Sequence, residues 1–73
     1  MRNEKLAQQI DNNFTYHPPK AGQNEKYETL RAKAKEFAET INDLCPDSRE
    51  KSLAMTELEN SVMWANSAIA RNE

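Results

Sequence analysis

Seventy-three residues with 10 basic and 12 acidic side chains make at most one small domain of net charge −2. The interspersed signs exclude the basic face of a duplex DNA or RNA binder, and no apolar run reaches membrane-spanning length. One cysteine and one histidine allow neither an intrachain disulfide nor a zinc site, so no metal, cofactor or nucleophilic catalytic set is expected. A free thiol at Cys45 and an N-terminus without a signal-peptide core point to an intracellular protein.

In chain order, residues 2–12 read as a short helix with Leu6 and Ile10 one turn apart; Asn12 and Asn13 end it. So few apolar residues cannot hold a helix alone, so it must lean on another element or on an assembly. Phe14, Tyr16 and His17 then place three rings ahead of Pro18 and Pro19, which impose an extended path. The rings either tuck under the helices as a clasp or form a rigid wall for stacking a planar ligand. Gly22 releases the chain into the next helix.

Residues 23–44 form the second predicted helix, with Tyr27, Leu30, Ala34, Phe37, Ile41 and Leu44 as a narrow heptad-like seam. Its remaining Lys and Glu side chains read as a solvated face. Pro46 stops it. The third helix, residues 48–71, opens on a capping pattern of Asp47 three residues before Glu50. A short loop between helices of matched length predicts an antiparallel hairpin. The expected fold is therefore a single all-α hairpin domain with a short N-terminal helix and an extended YHPP arm.

Two features of the third helix stand out. At about 100° per residue its seam (Ala54, Met55, Leu58, Val62, Ala65, Ala68, Ile69) spans roughly 140°, and Leu53 and Trp64 widen it to about 200°. The second helix offers only about 120° by the same count, so Leu53 and Trp64 need another surface. Burying them would contribute roughly 3–6 kcal/mol, comparable with the stability of so small a domain. Self-association is expected, unless the N-terminal arm folds over the patch. The second feature is Arg49, a cation in a first helical turn, where the dipole disfavours it. Either Asp47 and Glu50 compensate locally, or the guanidinium and the helix N-terminus together face an anion. Copies of Arg49 around a symmetry axis would suit a ligand carrying several phosphates.

Tyr16–Pro19 (YHPP), Gly22–Gln23, Tyr27, Arg31, Cys45–Ala54 (CPDSREKSLA) and Met63–Glu73 (MWANSAIARNE) resemble the phage Acb/Tad hairpin-domain family, over roughly residues 14 to 73. The resemblance implies a compact homohexamer in the cytoplasm of an infected bacterial host. It also implies a sponge for cyclic oligonucleotides that evades CBASS-type immunity without turnover. Cyclic trinucleotides would lie where three protomers meet, held by Arg49, by Pro18 or Pro19, and by the Arg71–Glu73 segment with Asn72. Cyclic dinucleotides in the family use a stacking Tyr and a phosphate-binding Lys from the N-terminal region. Residues 1–13 hold no Tyr and only Lys5. Either Tyr16 with Lys5 or Lys20 takes those roles, or that site is altered or lost. The rival expectation is a helical interaction module that docks host proteins through Leu53 and Trp64. A phosphodiesterase would lack ligands for a metal.

Overall fold

Each helix begins where a local acceptor or a special backbone conformation is available. The computed structural model describes residues 2–73. Helix α1 spans Glu4–Asn13, two residues later at its start and one later at its end than the sequence spacing predicts. Asn3 supplies the cap, its Oδ1 accepting from the Leu6 N–H at 3.0 Å, and Glu4 complements the positive end of the helix. The arm then runs without regular structure to a turn at Ala21–Gly22. There the Lys20 N–H donates to Gln23 Oε1 at 2.9 Å, and the Gln23 N–H returns to the Lys20 carbonyl at 3.1 Å. Gly22, at φ 84°, occupies the left-handed region that a side chain would strain.

Helix α2 spans Gln23–Leu44 and α3 spans Arg49–Asn72. The cap of α3 is not Asp47 but Ser48, whose Oγ accepts from the Lys51 N–H at 3.1 Å. Ser48 directly precedes the first helical residue, so its short side chain reaches the third N–H. Asp47 is instead taken by Lys51, whose Nζ lies 3.0 Å from Oδ1 and also donates to the Asn42 carbonyl at 3.1 Å. One covered lysine thereby satisfies a terminal carbonyl of α2 and closes the hairpin.

Among the described residues, packing between α2 and α3 is the only extensive contact between helices. The row Tyr27, Ala34, Ile41 runs into this contact, ending in Ile41, the one buried apolar residue among those described. The row Gln23, Leu30, Phe37, Leu44 runs out of it. Gln23 is buried, Leu30 half-buried, Phe37 56 % exposed and Leu44 77 % exposed. A straight α-helix drifts about 20° per heptad relative to a seven-residue repeat, which carries this row round the side of α2. Phe37 and Leu44, expected in the seam, therefore lie outside it.

Helix α1 reaches the body through polar contacts. Asn12 Nδ2 donates to the Arg71 carbonyl at 3.2 Å, and His17 Nε2 lies 2.7 Å from the Asn12 carbonyl. Leu6 and Ile10 stay exposed. The whole measures 50 × 35 × 13 Å, one helix thick, with a radius of gyration of 16.4 Å. A compact chain of this length would have about 11 Å. No described helix is long and apolar enough to cross a membrane.

Because nothing lies within 4 Å of a Cβ built on Gly22, the cost of Gly22→Ala is conformational alone. We expect a loss of roughly 1–2 kcal/mol in chemical denaturation. Ser48→Ala should cost about 1 kcal/mol in the same assay through the lost cap.

Candidate functional site

The residues singled out from the sequence divide between the two ends of the hairpin. At the turn end, Arg49 is the first residue of α3 and is exposed. Local compensation by Asp47 is not made, because that carboxylate pairs with Lys51. Glu50 does not form an ion pair with Arg49 either, so among the described residues no carboxylate neutralises the guanidinium. Its charge adds to the partial positive charge of the helix N-terminus.

At the open end the arm, the start of α2 and the finish of α3 converge. Lys20 Nζ donates to the Glu73 carbonyl, and Lys26 Nζ lies 2.6 Å from Glu73 Oε2. The hydrogen bond from Lys26 is the main reason the Glu73 carboxyl titrates below its ordinary range; desolvation opposes it, and the charges of Lys26 and Lys20 and a hydrogen bond from Gln23 assist. Arg71 is half-buried with its carbonyl held by Asn12, while Asn72 spends its amide on the Ala68 carbonyl at 3.1 Å. Pro18, Pro19 and Tyr16 are exposed on the adjoining arm. Lys5 lies seven residues back from Asn12 along α1, about 10 Å at the helical rise.

Thus the fold gathers Tyr16, Pro18, Pro19, Lys20, Arg71 and Asn72 at one end and leaves Arg49 at the other. Arg49 and Arg71 are separated by the length of α3, about 33 Å at 1.5 Å per residue. A single chain cannot place both on one small ligand.

The aromatic clasp is not formed. Phe14 and Tyr16 are among the most exposed large side chains, and only His17 is held inward. Nor does the arm fold over the flank of α3, where Trp64 is 62 % and Leu53 43 % exposed. Lys26, read from sequence as part of a solvated face, instead anchors the end of α3. No local pattern could reveal a contact spanning 47 residues. An open groove of about 300 Å³ between the long helices is lined by Tyr27, Asn66, Ser67 and Ala70. Among the described residues, no group of three or more His, Cys, Asp or Glu side chains could hold a metal ion.

A model of the family described as Acb2/Tad1, hairpin domain, matches residues 6–70. The chain belongs to the Acb2/Tad1 hairpin family. The match begins at Leu6, so most of α1 lies within it, further toward the N-terminus than the motifs of the arm and the long helices indicate. No curated protein and no solved structure matches the chain. Membership of the Acb2/Tad1 hairpin family carries the three-helix hairpin fold, a general anti-defence role and a non-catalytic, sponge-type domain.

The Glu73 contact sets a pH dependence. Its folded-state pKa is depressed, so its contribution is present above the ordinary carboxylate pKa and is lost as pH falls through the lowered value. Carboxyl NMR titration should place the Glu73 midpoint below the ordinary carboxylate value. Lys26→Met should raise it toward the ordinary range.

Proposed function

We propose that the chain is a sponge for cyclic oligonucleotide messengers, with cyclic trinucleotides held at a site shared between copies, blocking CBASS-type immunity in the cytoplasm of an infected bacterium. The observation that carries this reading is the position of Arg49. It combines an unneutralised guanidinium with a helix N-terminus, the pairing that suits a phosphate. Its distance from Pro18, Pro19, Arg71 and Asn72 supports a pocket made by different protomers of a homo-oligomer, a homohexamer in this reading. Three phosphates of a cyclic trinucleotide would then meet three copies of Arg49, and their mutual repulsion is relieved only when the anion is bound.

A cyclic dinucleotide would use the exposed Tyr16 ring for stacking. Lys20 would have to leave the Glu73 carbonyl to reach its phosphate, whereas the exposed Lys5 would not need to give up such a contact. Cyclic trinucleotides are the first ligand of this proposal because they would use Arg49, which no carboxylate neutralises among the described residues.

The test is titration with cyclic tri-adenylate, followed by heat removal of the protein and recovery of the nucleotide. Intact nucleotide is expected; degradation would mean turnover, and absence of binding to any cyclic nucleotide would leave only an interaction module. Arg49→Ala should weaken trinucleotide binding by about 10- to 100-fold or more, because a hydrogen bond to a charged group contributes about 1.5–3 kcal/mol. The oligomer mass should not change. Unchanged affinity would rule out the assignment of Arg49.

A further inference from the structure

The proposed phosphate contact of Arg49 depends on which carboxylates are kept away from it. Two lie close in sequence. Glu50 follows Arg49 directly, and adjacent residues of a helix project about 100° apart, so their side chains do not face each other. Asp47 is different. It lies two residues ahead of Arg49, outside the helix, at a Cα separation of at most about 7.6 Å, which an Arg side chain can span. Its carboxylate is fully exposed, and its one ion pair among the described residues is with Lys51 Nζ at 3.0 Å.

Lys51 is held in the opposite way. Its side chain is only 13 % exposed, and the same Nζ donates to the Asn42 carbonyl at 3.1 Å, in the last turn of α2. A backbone acceptor thus fixes the ammonium on α2, and Asp47 is held to it there. Closing the turn does not itself call for the Asp47 side chain. Lys51 already satisfies Asn42, and Ser48 caps α3. An ion pair with so exposed a carboxylate adds little stability. What it changes is the charge beside Arg49.

We propose that Lys51 is a positioning residue for the Arg49 site: by holding Asp47 at the α2 side of the turn, it keeps the guanidinium and the N-terminus of α3 open to a phosphate. A carboxylate released from Lys51 would be drawn to those same two positive groups and would compete with the ligand for both. This role of Lys51 rests on the proposed function, and it adds a residue that acts without touching the ligand.

The test is a double-substitution cycle read as affinity for cyclic tri-adenylate. Lys51→Met should weaken binding about 3- to 10-fold, the range of coupling between neighbouring charged groups. A direct contact of Lys51 with the phosphate, or a loosened turn, would also weaken it, so the deciding quantity is the response to Asp47→Asn. In the wild-type chain Asp47→Asn should change affinity by less than about 2-fold, because Lys51 already neutralises the carboxylate. In the Lys51→Met chain it should restore most of the loss. Lys51→Gln, which keeps a donor for the Asn42 carbonyl, should show the same coupling with helical circular dichroism unchanged. A double variant that stays as weak as Lys51→Met overturns the proposal, because a direct contact or a structural role is not rescued at Asp47. Equal effects of Asp47→Asn in both backgrounds also overturn it, since charges would then simply add. Arg49→Ala in the same titrations separates the two readings. If it weakens binding while the cycle shows no coupling, the Arg49 site stands and the role of Lys51 falls; if it has no effect, both fall.

Discussion

Helices repeat every 3.6 residues, while the apolar row Gln23, Leu30, Phe37, Leu44 repeats every seven. In a long supercoil this mismatch is absorbed by coiling. In a single two-helix hairpin it is expressed as exposure, and Phe37 and Leu44 turn progressively away from α3. Most other features follow from the thin contact that remains. Ile41 alone is a buried apolar side chain among the described residues, so the hairpin cannot close a core of its own. Phe37, Leu44, Leu53, Met63 and Trp64 stay exposed on the long helices, apolar surface that suits partners rather than solvent.

The turn is stabilised by different means. Lys51 folds back over the loop, joining Asp47 and the last turn of α2, while Ser48 caps α3. This division of labour has an electrostatic consequence. Asp47 is committed to another cation, Glu50 forms no ion pair with Arg49, and the guanidinium stands beside the positive end of a 24-residue helix. A contact that completes the fold thereby leaves an anion-seeking group on the surface.

The open end works in the opposite way. Lys20 and Lys26 are engaged by Glu73, Asn12 holds the Arg71 carbonyl, and α1 is tethered there by polar groups rather than by Leu6 and Ile10. Lys20 and Lys26 at this end already have partners, whereas among the described residues no carboxylate pairs with Arg49. For a sponge-type domain the asymmetry matters, because one small ligand cannot meet both ends of a single chain.

Helix number, type and approximate limits were legible from local patterning: apolar spacing, the Asn12–Asn13 and Pro46 breaks, and Gly22. The presence of a cation at the start of α3 and of a surplus apolar flank at Leu53 and Trp64 was also local information. What patterning could not determine was which of several adjacent groups would pair. Asp47 and Ser48 compete for the same cap, and the outcome depends on Lys51 reaching across to Asn42 on the other helix. Lys26 is indistinguishable from its charged neighbours until α3 brings Glu73 to within 2.6 Å. The sequence by itself determined the elements and their surplus of charge and apolar surface. Only the tertiary structure decided the partners and the exposed row, because both depend on the relative phase and register of two helices, which no single helix encodes.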